Sequence, residues 1–235
     1  MMKRLPRASA LLFFFATVAI AQAEWRISNS TWEASPNESV EHWTTKVENS
    51  KTGASATLHV AVFDTRAATL RVIDQPNAPR RDLAEVMTGT KALAAVNGGY
   101  FDPEDAPVGL LLSEGRALAP LRKAKLLSGV LFATRSRVDV VRATRFSMND
   151  EIKSALQCGP LMVERDGPVA GLNDARSARR TFAAVDGKGR AALGVCSAVS
   201  LAELGRILCL TNTAGKMKIV RALNLDGGSS SAFWF

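Results

Sequence analysis

Apolar and polar residues alternate along 57–63 (Thr-Leu-His-Val-Ala-Val-Phe) and again along 69–73 (Thr-Leu-Arg-Val-Ile), a period of two that predicts two strands joined as a hairpin through residues 64–68. Residues 81–88 read as a short helix. The continuous small apolar run 92–96 ends at Asn97-Gly98-Gly99, so it predicts a buried strand that delivers a loop. Two further hairpins follow, 109–112 with 117–119 around Ser113-Glu114-Gly115, and 129–132 with 138–141 around a polar turn. Asp166-Gly167 and Asp186-Gly187 are turn signals, and Gly159-Pro160 gives a rigid lead into a strand running to Val163. Ser200 and Glu203 form a capping box that opens a helix over 201–209, after which 218–225 reads as a strand ending at Asp226-Gly227-Gly228.

Strands outnumber helices in this reading, and no Pro/Ser-rich linker interrupts 50–235. The expected fold is therefore α+β: a single domain with mixed, mainly antiparallel sheets flanked by a few helices, preceded by a lead-in over 24–54.

Composition narrows the class. With 235 residues, 47% hydrophobic and 22% charged, the chain is globular, neither disordered nor of collagen type. The first 23 residues carry Lys3, Arg4 and Arg7, then an apolar run over 8–20 too short to span a bilayer comfortably, then the small-x-small site Ala21-Gln22-Ala23. This pattern predicts a secretory signal peptide and a periplasmic or secreted protein with no integral membrane segment after cleavage; an uncleaved anchor is the competing reading. Removal of 1–23 lowers the formal charge from +8 to +5. Export argues against nucleic acid as a partner. The remaining basic excess suits a phosphate-bearing or acidic glycan, or simply a solvated surface. Two histidines, His42 and His59, and three cysteines, Cys158, Cys196 and Cys209, are too few for a usual Cys/His zinc site and leave little room for a histidine-based triad. The cysteines allow one disulfide with a thiol left over, or three buried thiols.

Two glycine-rich turns hold the candidate chemistry. Asn97-Gly98-Gly99-Tyr100-Phe101 and Asp226-Gly227-Gly228-Ser229-Ser230 each follow a predicted buried strand. A carboxylate at a strand end, followed by residues free to take positive φ, can present Asp226 to a cleft while successive backbone N–H groups face an anion. Taken alone, either turn reads better as a plain tight connection. Arg179-Arg180-Thr181 sets a guanidinium near a strand start, where it can fork onto phosphate or carboxylate; a surface arginine is the bland alternative. Asp102, Glu104 and Asp105 offer a second carboxylate for acid–base work, or an acidic surface loop. Asp226, Asp102 and Asp105 are hard donors suited to Ca²⁺ or Mg²⁺ without EF-hand spacing, so the cofactor stays open between none and one of these cations.

Asn97-Gly98-Gly99-Tyr100-Phe101, Pro107-Val108-Gly109-Leu110, Glu114-Gly115-Arg116, Gly159-Pro160, Arg180-Thr181 and Leu223-Asn224-Leu225-Asp226-Gly227-Gly228-Ser229-Ser230 together resemble, in order and spacing, the phosphodiester glycosidase family, in its exported bacterial form, over about residues 55–235. The resemblance implies hydrolysis of a sugar-1-phosphodiester at the glycosidic C–O bond, releasing free sugar and a phosphomonoester. It implies Asp226, Glu104 and Arg180 as the catalytic set, with Asn97, Gly98, Thr181, Gly227, Gly228, Ser229 and Ser230 binding substrate. Glu104 falls where exported relatives carry an acid before the Pro-Val-Gly-Leu segment. Relatives continue past the point where this sequence ends, so the resemblance further implies a 55–235 domain short of its C-terminal strand or strands. Residues 231–235 are expected to insert beside the 218–225 strand or an adjacent one, burying Trp234 or Phe235, and to leave the chain less stable than a relative with the extra strand.

Two other function classes remain. A non-catalytic envelope protein would use the same loops to bind phosphoglycan without turnover. A serine hydrolase built on Ser229 or Ser230 is disfavoured, because both histidines lie outside any motif and no Gly-x-Ser-x-Gly elbow is present.

Overall fold

Fifteen strands and two α-helices make up the computed structural model, which describes residues 24–75 and 81–235; the expected signal peptide lies outside the described residues. The strands are β1 (Trp25–Ala34), β2 (Val40–Asn49), β3 (Ser55–Asp64), β4 (Ala95–Val96), β5 (Leu111–Ser113), β6 (Arg116–Ala119), β7 (Gly129–Ala133), β8 (Val138–Arg142), β9 (Ser154–Cys158), β10 (Leu161–Glu164), β11 (Gly167–Pro168), β12 (Ala178–Val185), β13 (Arg190–Val199), β14 (Arg221–Asn224) and β15 (Phe233–Trp234). The helices are α1 (Leu83–Thr88) and α2 (Leu201–Leu208). Both begin with the capping box that their sequences spell, Asp82 with Glu85 and Ser200 with Glu203, each pair satisfying two of the backbone donors left over at a helix start.

An eight-stranded sheet runs in the order β1-β2-β3-β13-β12-β14-β10-β11, a five-stranded sheet in the order β6-β5-β9-β7-β8, and β15 pairs with β4. Every ladder among these strands is antiparallel. The α+β expectation holds in its coarse form, in a molecule that is largely β and more uniformly antiparallel than expected.

Period-two alternation sorts the central strands onto two faces. Phe182 and Ala184 of β12 and Ala192 and Cys196 of β13 join Leu204, Ile207 and Leu208 of α2 in one core. Ala183 and Val185, with Ala191 and Leu193, face the five-stranded sheet and meet Leu131, Leu156 and Cys158 in a second. A third, smaller core of Leu110, Leu112, Val130, Ile152 and Ala155 backs the five-stranded sheet on its far side. Close packing of the first core depends on Gly194, where a Cβ would lie 2.5 Å from Cζ of the Phe182 ring. Burying that ring completely contributes about 2–3 kcal/mol.

Three expectations are corrected. Residues 69–73 do not pair with β3, whose partners are β2 on one side and β13 on the other. They run beside the five-stranded sheet instead, where the Val72 N–H donates to Ser154 Oγ at 3.3 Å and its carbonyl accepts from Ser113 Oγ at 2.7 Å. Residues 25–34 and 40–49, read as a lead-in, are the first two strands of the large sheet. The 231–235 run does not join β14: Phe233 and Trp234 pair with Val96 and Ala95, and Trp234 and Phe235 are half-buried. Of the two readings left open for the cysteines, free thiols hold: the three carry no disulfide, Cys158 and Cys196 are buried in separate cores, and Cys209 is half-buried.

Candidate functional site

Where β4 and β14 end, their loops come together through the backbone. The Asp226 N–H donates to the Gly98 carbonyl at 3.1 Å, and Asn97 Nδ2 donates to the Asp226 carbonyl at 2.8 Å. Asn97 Oδ1 accepts from the buried Thr181 hydroxyl at 2.7 Å and from the Ala232 N–H at 3.1 Å. One carboxamide therefore ties together the end of β4, the middle of β12, the Asp226 loop and the approach to β15. Oδ1 accepts twice and Nδ2 uses one of its two hydrogens, so most of the Asn97 carboxamide is committed to architecture and the residue positions the loop.

The Asp226 carboxylate has no such load. Oδ1 accepts the N–H of Gly227 at 2.9 Å, while the side chain lines a cavity of about 1150 Å³ together with Asn97, Gly98, Tyr100, Asp105 and Ser230. Gly227 lies so close to β12 that a Cβ would sit 2.9 Å from the Arg179 carbonyl oxygen, and Gly228 adopts φ +66°. Both glycines are thus required by geometry, one for close approach and one for its backbone conformation. Gly228 to Ser230 form a single 3-10 turn, closed by the Ser230 and Ser231 N–H groups on the Gly227 and Gly228 carbonyls, each at 3.3 Å.

Alternation separates the two arginines. Arg179 is exposed and reaches the loop, its Nε donating to the Gly228 carbonyl at 3.1 Å and Nη2 to that of Ser229 at 3.4 Å. Arg180 is 9% exposed, with Nε on the Val199 carbonyl at 3.0 Å and Nη2 on that of Arg176 at 2.6 Å. Burial lowers the Arg180 pKa, and the Tyr100 oxygen nearby works in the opposite direction. The guanidinium that touches the Asp-Gly-Gly-Ser loop is therefore that of Arg179, a residue that the motif comparison passed over.

Tyr100 closes the inner side. Its hydroxyl donates to the Gly159 carbonyl at 2.5 Å and accepts from Asn224 Nδ2 at 3.0 Å, and the same Nδ2 also reaches the carbonyls of Gly159 and Leu225. Burial first, then the neighbouring Cys158 and Asp226, raise the phenol pKa well above its ordinary value, and burial pushes the Cys158 thiol up to about 12. Tyr100 thus lies within electrostatic range of both Asp226 and Arg180. Asn224 was missed as a site residue. The signal was its position as a lone amide between Leu223 and Leu225 in a buried strand, where an unpaired amide would be costly.

Glu104 is exposed on the loop that leads away from Tyr100. The loop is shaped by Asp102, whose Oδ1 accepts the N–H groups of Glu104 at 3.1 Å and Ala106 at 2.7 Å. Asp102 is thereby a loop organiser, and Asp105 is the acid of this loop that lines the Asp226 cavity. Among the described residues, no group of three or more His, Cys, Asp or Glu is placed to hold a metal ion.

The histidines lie on the large sheet beneath the terminal aromatics. His42 Nδ1 is 2.8 Å from Glu33 Oε1, His42 Nε2 is 3.2 Å from His59 Nδ1, and the His42 ring lies 5.1 and 5.0 Å from the rings of Phe233 and Phe235. Burial, then the charge of His42, lowers the His59 pKa.

Residues 90–235 match the model of the phosphodiester glycosidase family. An uncharacterised protein of Escherichia coli strain K12, YigE, is 30% identical over 89 residues; the match covers 35% of this chain and 35% of that protein, so the aligned part spans about a third of the curated relative. A hypothetical protein from Synechocystis has a similar crystal structure, with a TM-score of 0.64 at 14% identity, over 84% of this chain and 58% of that one. The zebrafish N-acetylglucosamine-1-phosphodiester alpha-N-acetylglucosaminidase catalytic domain, auto-inhibited by its pro-peptide, gives 0.52 at 15% identity, over 92% and 74%. At these identities the two structures establish a common fold.

Proposed function

The chain belongs to the phosphodiester glycosidase family, and we propose that it is an exported hydrolase that cleaves the glycosidic bond of a sugar-1-phosphodiester in a glycan or envelope polymer. The observation that carries this reading is the lock of Asn97, Thr181 and the Asp226 main chain, which leaves one carboxylate directed at a cavity beside a cationic, glycine-rich turn. Export is read from the pattern of residues 1–23.

Cleavage at the anomeric carbon turns a phosphodiester carrying one negative charge into a monoester carrying more, so donors aimed at the phosphate stabilise the transition state more than the ground state. Arg179 at the loop surface, Arg180 behind it as a buried positive charge, and the amides of Gly228 and Ser229 are assigned that task, the Gly227 N–H being held by Asp226 Oδ1. Asp226 is assigned to the anomeric carbon, as nucleophile or as stabiliser of its developing positive charge, and Glu104 to the activation of water. A phosphate leaving group needs little protonation, which relieves the site of a dedicated acid. The carboxylate separation in a substrate complex decides between inversion and retention.

The test is hydrolysis of glycosyl-1-phosphodiesters, UDP-sugars included, by the purified protein, followed as release of free sugar. No turnover of any member overturns the reading. Asp226→Ala then separates enzyme from binder: an enzyme loses turnover by orders of magnitude, whereas a phosphoglycan-binding protein keeps its affinity and has no turnover to lose.

A further inference from the structure

Gln157 is 1% exposed, and its carboxamide is spent on two loops at the rim of the cavity. Oε1 accepts from the Leu110 N–H at 3.1 Å and the Arg122 N–H at 2.9 Å, while Nε2 donates to the carbonyls of Arg122 at 2.7 Å and Leu127 at 3.0 Å. A single buried side chain thus holds the strand approach 107–110 beside the 120–127 loop. The far end of that loop is packed as tightly, since a Cβ on Gly159 would lie 2.1 Å from the Leu126 carbonyl oxygen, and Gly159 also accepts the Tyr100 hydroxyl.

A loop pinned this firmly has its side chains free to be chosen for something other than folding. Leu126 is 56% exposed, Leu121 43% and Val108 39%, three of the seven exposed large apolar residues among those described. Between them stand Arg122, Lys123 and Lys125, all exposed, and none of the three forms an ion pair among the described residues. Apolar groups left in water beside unpaired cations serve no fold and mark a contact surface.

We infer that the 120–126 loop, with Val108, is a docking surface for the face of a bilayer carrying anionic phospholipid. Leucine side chains at this spacing enter the acyl boundary while the cations between them remain at headgroup level, the arrangement of interfacial segments that bind acidic membranes. Three apolar side chains and one short loop fall well below the roughly 800 Å² per partner of a stable protein interface, which favours a lipid surface over a protein. The docking does not rest on the glycosidase reading.

The experiment is flotation of the mature chain, residues 24–235, with vesicles of phosphatidylcholine alone and of phosphatidylcholine with about one-third phosphatidylglycerol. Binding is expected on the anionic vesicles, weakened by high salt, and each cation removed costs roughly fivefold in partition. Lys123→Ser with Lys125→Ser, and separately Leu121→Ser with Leu126→Ser, are each expected to lower partition about tenfold or more, with unchanged thermal melting and unchanged turnover of a water-soluble glycosyl-1-phosphodiester. Equal partition onto neutral and anionic vesicles, or variants that float as well as the parent, overturns the inference. So does saturable capture by an acidic protein with no vesicle binding. Failure of docking with turnover intact leaves the glycosidase reading standing, and loss of turnover with docking intact does the reverse.

Discussion

The two glycine-rich loops look alike as sequence, each a polar residue and two glycines after an apolar strand, but they divide the labour of the site. Asn97 commits most of its side chain to the fold: Oδ1 accepts twice and Nδ2 donates once within the protein. Asp226 does the opposite. Its main chain is held by Gly98 and Asn97, and its carboxylate, touched by one amide, borders the cavity. A preorganised site needs both kinds of residue, because a reacting group is only as well placed as the residues that immobilise its backbone.

Substitutions on either side can break this comparison. The largest effect is expected from Asp226→Asn, which keeps size and removes charge: turnover should fall by about 10²–10⁴-fold with melting nearly unchanged. A large fall in melting temperature would make Asp226 structural and erase the contrast. Asn97→Ala is expected to show the reverse balance, a stability loss of about 2–4 kcal/mol from three orphaned or deleted hydrogen bonds, measured by denaturant unfolding, with activity falling only as the loop loosens. If it abolishes turnover at full stability, Asn97 contacts substrate. Arg179→Ala should raise KM about tenfold and reduce the salt dependence of kcat/KM, with kcat falling less, because the side chain sits exposed at the turn. Thr181→Val removes one of the two donors to Asn97 Oδ1 and should cost about 1 kcal/mol.

The remaining effect concerns pH and is absent below about pH 9. Burial raises Cys158 and Cys196 to about 12 and Cys209 to about 11, above their ordinary value of 9.0. A group whose folded pKa is raised contributes stability that is fully present below the unfolded pKa and is lost as pH rises through the folded one. Stability should therefore hold up to about pH 9 and decline from there toward 12, and native Cys158 should resist alkylation at pH 8. Rapid alkylation of Cys158 in the folded protein would show the inner side of the site to be more open than its packing implies.

Much of this molecule was readable residue by residue. Both helices start where a capping box is spelled, and the Ser113-Glu114-Gly115 turn joins β5 to β6 with Glu114 and Gly115 at positive φ. The 129–132 and 138–141 runs pair as expected, and the aspartate of the second glycine loop borders the cavity. These features depend on residues a few positions apart, and local backbone preference decides them whatever lies beyond. What lay beyond required the assembled sheets. β1 was not seen because an edge strand buries little more than Trp25 and Ile27 and shows no apolar alternation along the rest of its length. The partner of β3 was misassigned because alternation identifies a strand without naming its neighbour, and here the second neighbour, β13, is more than a hundred residues away. The docking of residues 233–234 on β4, the choice of Arg179 over Arg180 at the loop, and the spending of Asn97 on three distant partners all depend on which surfaces meet after folding. Sequence supplied the donors, acceptors and charges; tertiary structure decided which of them were consumed in holding the fold and which were left to face a ligand, because a hydrogen-bonding group can be spent only once.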